Sequence, residues 1–390
     1  SAPMEPNPAP STGGGTVRVA IDARLLTGMY TGDRTYWRGL LKAFSEWLDA
    51  EQHRLVLFSR CPLPDGVLPE SPLYESVVLP ACSERLWSLW YFPRATSSYQ
   101  CAVAHTQYSV SPLFRIPVVT TIHDVSFLVN PRWFPLKDRL LLRLSIPASC
   151  RRAARVLTVS ETSRRDIIRL LHLPPEKVVA TLNGLPEGFY PIEKSQAHAW
   201  VDRHYGIKPP FLLAVGVLQP RKNWLLAIQA VAYAREWSGL PLKLVLTGKP
   251  GWAKRELEWA KRTLVEDNWL IETGYVPDEH LLWLYNAAEI LLYPSFYEGF
   301  GLPPLEAMAC GTPVIASNGG ALPEVVASGG VLLPPNQPAQ WAHAILTILQ
   351  NEAYREGLRQ RALQRAQMFS WQETARKTWQ VYLEAAGHCG

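Results

Sequence analysis

The sequence has no long apolar run, no paired-cysteine motif and little net charge. No uninterrupted apolar stretch reaches the ~18 residues that a transmembrane helix needs. The six cysteines form no CxxC pair, which argues against a zinc finger or a disulfide framework and favours reduced thiols. The formal charge of +5 is small for 390 residues, so composition does not indicate nucleic-acid binding.

The composition is that of a globular protein that follows a short leader. Residues 1–16 are rich in Pro, Gly, Ser and Ala, and no basic region followed by an apolar one is present. These residues predict a disordered leader and not a signal peptide. The rest of the chain is long enough for two or three domains of about 100–200 residues each.

β-branched runs alternate with helical stretches on both sides of a Pro-rich joint near residues 187–210. The predicted strands are 17–25, 54–59, 76–80, 101–106, 118–123, 155–160 and 177–184 before the joint, and 211–216, 242–248, 269–275, 290–295, 312–317 and 330–335 after it. The first helix is predicted at about 35–50, and Ser160 is the predicted N-cap of another. This alternation predicts an α/β protein of two doubly wound, Rossmann-like domains that face each other across a cleft.

The most informative loop follows the strand near 290–295. There Glu298 is followed by Gly299 and Gly301, whose backbone amides can approach a ligand closely. Glu306 is expected in the first turn of the next helix, where free amides suit an anion and carboxylates suit sugar hydroxyls. The structural alternative is that Glu306 only caps its helix and that Glu298 is solvated.

This loop and its flanks read YPSFYEGFGLPPLEAMACGTPVIAS and resemble the signature of the family 4 retaining glycosyltransferases of the GT-B fold. In that signature two glutamates are separated by seven residues. The resemblance implies that Glu298 contacts the transferred sugar and that Glu306 contacts the ribose of a nucleotide donor. It also places four neighbouring residues in the donor site: Gly299, Phe300, Gly301 and Leu302.

Two other segments resemble the same family. AVGVLQPRKNW implies that Arg221 and Lys222 hold the donor diphosphate, where fixed cations stabilise the charge of the leaving group. TTIHDVSFLVNPRWFP implies that His123 contacts hydroxyls of the transferred sugar. Taken alone, the basic pair reads as a surface feature and the histidine as a structural one.

The glycine turn after the first strand departs from the family. Many relatives have Gly-x-Gly-Arg-Tyr, whereas this chain has YTGDRTYW. Gly32 can fill the first glycine position, but Arg34 stands at the second. Its side chain would crowd the donor phosphate, reshape the acceptor entrance or contact a phosphate, and the sequence leaves these alternatives open.

The resemblance covers residues 17–387 and implies that the two domains bind different substrates. Residues 17–195 would form the acceptor-side domain and 207–366 the donor domain, with helix 371–387 packing back on the first. The implied reaction moves a hexose, with retention, from a nucleotide-diphosphate sugar to a glycan or polyprenyl-linked glycan. Similar bacterial enzymes of surface-polysaccharide synthesis make GDP-mannose the first expected donor.

No further cofactor is expected, and no metal site either. The chain lacks the Asp-x-Asp pair that holds a metal in the other large glycosyltransferase fold, and Arg221 and Lys222 can supply the charge. A nicotinamide-dependent oxidoreductase is disfavoured because neither first strand is followed by GxGxxG. A nucleotide-sugar epimerase and a non-catalytic sugar-binding protein remain as alternatives, although the full set of site residues argues against lost catalysis.

A basic and leucine-rich segment in the first domain suggests a membrane surface. Ten basic and only three acidic residues lie between Arg132 and Arg169, with Leu140, Leu141, Leu142 and Leu144 among them. The sequence therefore predicts a cytoplasmic protein that rests on the anionic inner face of the plasma membrane. The alternative is that the leucines belong to the core and the arginines form a solvated face.

Overall fold

The computed structural model describes residues 16–28, 32–251 and 254–387, so residues 1–15 of the predicted leader lie outside it. The strands are β1 Val17–Asp22, β2 His53–Ser59, β3 Tyr74–Val78, β4 Val103–Gln107, β5 Val118–Ile122, β6 Arg155–Thr158, β7 Val178–Ala180, β8 Phe211–Val215, β9 Lys243–Thr247, β10 Leu270–Gly274, β11 Leu291–Tyr293, β12 Val314–Ser317 and β13 Val331–Leu333. The helices are α1 Gly32–Trp47, α2 Glu84–Leu86, α3 Phe92–Ser98, α4 Ser126–Val129, α5 Leu136–Arg152, α6 Glu161–Leu171, α7 Lys194–Tyr205, α8 Trp224–Ser238, α9 Lys254–Leu264, α10 Asp278–Ala287, α11 Leu302–Ala309, α12 Leu322–Val326, α13 Pro338–Gln350, α14 Glu352–Ala366 and α15 Trp371–Ala385.

The strands form two parallel sheets, one in each half of the chain. Their orders are β3-β2-β1-β4-β5-β6-β7 and β10-β9-β8-β11-β12-β13. In each sheet the chain starts in the middle, proceeds to one edge and then returns to the other side, which creates a switch point beside the first strand. Each predicted strand is present, and the predicted fold class of two Rossmann-like domains across a cleft is confirmed.

Two helix starts differ from the prediction at functionally important places. α1 begins earlier than expected, at Gly32, so that Asp33 lies in its first turn. α11 begins at Leu302 because the prolines that follow are pre-organised for the first helical turn. Glu306 therefore lies in the second turn of α11, and the prediction that it lies in the first turn is wrong.

The last helix packs against the first domain. The Trp371 ring of α15 lies directly over Gly39 of α1, where a Cβ atom would come within 2.2 Å of the ring. Further along α15, Trp379 and Tyr382 pack edge-on or tilted against Phe44 of α1. The helix thus joins the core of the first sheet although it follows the second domain in the chain.

Candidate active site

The carboxyl ends of β8 and β11 meet at the switch point of the second sheet, which is where ligands bind in doubly wound folds. The short helical turn Pro220–Lys222 follows β8, and Glu298 follows β11. The sheet order therefore brings together residues that are 76 positions apart in sequence. This juxtaposition makes the edge of the second sheet a candidate active site.

Glu298 lies between two cations. Lys222 Nζ is 2.6 Å from Glu298 Oε1, and Arg221 Nη1 is 3.5 Å from Glu298 Oε2. Oε1 also accepts hydrogen bonds from the Tyr293 hydroxyl at 3.0 Å and the Ser295 hydroxyl at 2.8 Å. With Oε1 fully used, Glu298 fixes the cations in place and leaves Oε2 as the oxygen that can meet a sugar hydroxyl.

Burial and mutual charge set the protonation of this cluster. Burial acts to raise the pKa of Glu298, but Lys222 and Arg221 outweigh it and lower the pKa to about 2. Burial also acts to lower the pKa of Arg221, and there Glu298 and Asp124 prevail and raise it. For Lys222 burial dominates and its pKa is lowered, although Glu298 opposes the shift. The carboxylate and the guanidinium are therefore charged across the physiological range.

The loop from Glu298 to Leu302 is shaped for close approach by an anion. Gly301 has φ +112°, a conformation that side chains with a Cβ rarely adopt. The two prolines after Leu302 carry no N–H. The backbone amides that can donate hydrogen bonds to a ligand at this helix start are therefore those up to Leu302. The Phe300 ring packs edge-on against Phe369 and is only 5% exposed, so this residue can offer a ligand its backbone but not its ring.

A second polar group faces the cluster from the switch point of the first sheet. His123 Nε2 lies 2.8 Å from Gln107 Oε1, and Gln107 Nε2 donates to Asp33 Oδ2 at 3.0 Å. Trp37 Nε1 also donates to Gln107 Oε1, which fixes the amide orientation and makes His123 Nε2 the protonated nitrogen of the ring. Sequence reasoning singled out His123 but missed Asp33 and Gln107. Their signal is position, since Gln107 is the last residue of β4 and Asp33 lies in the first turn of the α-helix that follows β1.

The two polar groups are in contact. Arg221 Nη1 lies 3.3 Å from Asp124 Oδ2 of the first domain. A Cβ atom at Gly299 would come within 2.2 Å of the His123 carbonyl oxygen. The described conformation is therefore a closed one, in which the loop of Glu298 touches the loop of His123.

Additional contacts hold the same loops across the cleft. Glu324 of α12 accepts hydrogen bonds from the amides of Glu161 at 2.8 Å and Thr162 at 3.0 Å, and thus caps helix α6 of the opposite domain. The Ser160 hydroxyl, which accepts from the Ser163 amide as the predicted N-cap of α6, donates to the Gly299 carbonyl at 2.6 Å. These bonds attach the first domain to the loop that carries Glu298.

Gly32 and Arg34 occupy different surroundings. A Cβ atom at Gly32 would lie 3.6 Å from Leu302, so the start of α1 adjoins the start of α11. Arg34 is buried, and its charge acts on Asp278 of α10 across the cleft. Residues 29–31 of the predicted glycine turn lie outside the described residues.

Glu306 borders a cavity of about 960 Å³ between α1 and α10. Glu298 does not line this cavity, which separates the surroundings of the two glutamates. The Tyr285 hydroxyl donates to Glu306 Oε1 at 3.1 Å. Burial, reinforced by the charge of Asp278, raises the pKa of Glu306 to about 8. The cavity is large enough for a small-molecule ligand, with Glu306 positioned to meet its hydroxyl groups.

We expect Glu306→Gln to flatten the pH dependence of stability. The carboxyl of Glu306 ionises near its ordinary pKa of 4.5 in the unfolded chain but only near 8 in the folded one. The free energy of unfolding should therefore fall as pH rises from about 4.5 to 8 and level off above that range. Urea denaturation at pH 5, 6.5 and 8 measures this slope, which Glu306→Gln should reduce.

The matched control for that prediction is Glu279→Gln, since Glu279 lines the same cavity and is exposed. It should keep the wild-type slope. Equal slopes in the wild type and Glu306→Gln would contradict the assignment of a protonated Glu306.

Among the described residues, no group of three or more His, Cys, Asp or Glu side chains is arranged to hold a metal ion. Within the same residues, no helix combines the length and the hydropathy needed to cross a bilayer.

Models of glycosyltransferase families match both halves of the chain. Residues 203–365 match a family model described as glycosyl transferases group 1, and residues 40–187 match one described as glycosyltransferase family 4. O-antigen chain mannosyltransferase B of Escherichia coli is 36% identical over 277 residues, which cover 70% of this chain and 72% of that protein. A serotype-specific mannosyltransferase, WbdA of Escherichia coli, is 30% identical over 231 residues, 58% of this chain but only 28% of that protein.

The solved structures support the same fold. Sucrose-phosphate synthase from Thermosynechococcus elongatus superposes with a TM-score of 0.73 at 23% identity, covering 96% of this chain and 100% of that one. The architecture is GT-B.

Proposed function

The chain belongs to glycosyltransferase family 4, and we propose that it transfers mannose from GDP-mannose to a hydroxyl group of a glycan or lipid-linked glycan, with retention of configuration. The observation that carries the proposal is the buried cluster of Arg221, Lys222 and Glu298, which faces His123 across a closed cleft. The choice of mannose rests on the mannosyltransferases that the chain resembles.

The proposed mechanism uses charge stabilisation and positioning. The bond between the sugar C1 and the diphosphate oxygen breaks as negative charge develops on the leaving group, which Arg221, Lys222 and the amides of the Glu298–Leu302 loop stabilise. The acceptor oxygen forms its new bond to C1 on the same face, and its proton passes to the leaving phosphate. Glu306 holds the ribose, and His123 holds the transferred sugar from the opposite domain.

The closed cleft serves this reaction by excluding water, which would otherwise hydrolyse the donor. The contact of Gly299 with the His123 carbonyl and the cap that Glu324 places on α6 are interactions of the closed state. They complete the site only when both domains are in place.

The function is tested with the purified chain and a panel of GDP-mannose, UDP-glucose and ADP-glucose. The true donor at 100 times its Kd should raise the free energy of unfolding by about 2.7 kcal/mol. The anomeric coupling in the NMR spectrum of the product should report retention, and activity should survive EDTA because side-chain cations serve the diphosphate. An epimerised nucleotide sugar, or activity that EDTA abolishes and Mg²⁺ restores, would contradict the proposal.

We further propose that the first domain rests on an anionic membrane surface. Helix α5 exposes Leu136, Leu140 and Leu144 by 77%, 65% and 66%, and Lys137 and Arg143 are exposed beside them. Leu142 packs against the core of the first domain, so the alternative that the leucines belong to the core holds for that residue. An apolar stripe flanked by cations suits the interface of an anionic leaflet.

Co-sedimentation with vesicles measures this association. The chain should bind phosphatidylglycerol vesicles at 50 mM salt and release at 500 mM, because salt screens exposed charges. The double variant Leu140→Gln/Leu144→Gln should lose most of the binding. The control Trp237→Gln, an exposed aromatic residue on α8, should bind like the wild type. Equal binding to neutral vesicles, or none at low salt, would refute the charge-driven contact.

A further inference from the structure

A second pocket lies at the carboxyl edge of the first sheet, beside the first three strands of the chain. It has a volume of about 290 Å³ and is built by the segments that follow β1, β2 and β3. Two arginines line it, Arg24 and Arg60, and one acid, Glu84. We call it the arginine pocket. None of its residues belongs to the site described above.

Both guanidinium groups are held in position. Arg24 Nη2 and Nε donate to the two oxygens of Asp22 at 2.8 and 3.0 Å, and its guanidinium lies 4.6 Å from the centre of the Trp87 ring. Arg60 Nη2 donates to the Ala81 carbonyl at 3.0 Å, and its buried Nε has no hydrogen-bond partner in the described structure. Each guanidinium therefore retains N–H groups for a ligand, at a low entropic cost of ordering.

Glu84 is a weak partner for Arg60. Its Oε1 lies 3.9 Å from Arg60 Nη1, and the Glu84 side chain is 72% exposed. Such an exposed pair contributes little stability, so an anion with several oxygens can replace it. Planar, fixed guanidinium groups fit phosphate oxygens especially well.

An apolar ridge adjoins the pocket. The chain runs from Glu84 through α2 into a π-helical turn, Trp87–Tyr91, a rare conformation that is frequent at functional sites. Leu89, Trp90 and Tyr91 on this turn are 50%, 43% and 40% exposed. Apolar side chains beside two fixed guanidinium groups match a ligand that carries both a phosphate group and a hydrocarbon chain.

We propose that the arginine pocket binds the phosphate or diphosphate ester of the acceptor, and that an isoprenoid-type chain attached to it lies along the ridge of residues 86–91. This inference rests on the proposed glycosyl transfer. The pocket is centred at β2, three strand spacings from β5 and its neighbour His123, or about 14 Å. The acceptor sugar would occupy the space between them.

The test measures binding by calorimetry, without donor and without turnover, so that it is independent of the proposed reaction. Farnesyl diphosphate should bind, and farnesol should not. Arg60→Ala should weaken binding of farnesyl diphosphate by about 10- to 100-fold, the loss of a charged hydrogen-bonding group, and Arg60→Lys should weaken it less. Glu84→Gln should strengthen it by about two- to fivefold because a competing anion is removed.

The controls separate this pocket from the donor site. Arg262→Ala, which removes an exposed arginine from α9, should leave binding unchanged. Saturating GDP should not displace farnesyl diphosphate. Unchanged binding by a folded Arg60→Ala variant, or displacement by GDP, would overturn the proposal. Inorganic diphosphate that binds as tightly as farnesyl diphosphate would overturn the role of the apolar ridge and leave a free phosphate as the ligand.

Discussion

Replacement of Lys222 by methionine is expected to lower kcat by about 10²–10³-fold, the loss typical of removing one charge-stabilising donor from a closed site. Lys222 Nζ is 2.6 Å from Glu298 and only 8% of the residue is exposed, so water cannot substitute for it. Donor affinity should also fall, because the ground-state diphosphate already carries negative charge. Steady-state kinetics with the donor that the stability panel identifies measures both effects.

The same variant should be less stable. Breaking a buried ion pair leaves an uncompensated charge, at a cost of about 3–5 kcal/mol. The double variant Lys222→Met/Glu298→Gln removes both charges and should regain most of the stability but none of the activity. Lys261→Met, which breaks a half-buried pair with Glu272 far from the site, is the control that should leave the activity unchanged and cost much less stability. Recovery of activity in the double variant would show that Lys222 serves only to neutralise Glu298.

Much of the fold was predictable because buried parallel strands are marked by β-branched runs. Each run, such as residues 211–216 or 312–317, corresponds to a strand of a sheet. Helix starts were less predictable. α1 begins at Gly32 rather than near Thr35, and the acidic Asp33 suits its first turn.

The residues that hold the site together were harder to predict from the sequence than those expected to contact a ligand. Glu298, Arg221 and Lys222 were found through a motif, and the structure brings them into contact. Glu324 carries no local pattern, and Gln107 is marked only by its place at the end of a strand. Gln107 matters because β4 lies between β1 and β5, and Glu324 because it reaches the start of a helix in the opposite domain. Such roles depend on strand order and domain placement, which sequence spacing does not encode.

Gly299→Ala is expected to lower kcat by about 100-fold, the loss that follows a displacement of about 1 Å in an active site. An added Cβ would lie 2.2 Å from the His123 carbonyl oxygen and 2.7 Å from Asp124 Cβ. Neither is the end of a flexible side chain, so the two loops must separate. The donor should still bind the second domain with nearly normal Kd, because the contacts proposed for Lys222 and Glu306 are left in place.

Two quantities are therefore measured for Gly299→Ala. Calorimetry gives the donor Kd, which should be nearly normal, and steady-state kinetics give kcat, which should be lowered. Gly357→Ala is the matched control: Gly357 lies within α14, where its Cβ would meet only the flexible end of Arg361 at 3.4 Å. Alanine there should raise the free energy of unfolding by about 0.5–1 kcal/mol and leave kcat unchanged. If Gly299→Ala retained wild-type kcat, the closed contact between the loops of Glu298 and His123 would not be part of the catalytic state. If Kd rose as kcat fell, the added methyl group would disturb donor binding itself and not only the closure of the two loops.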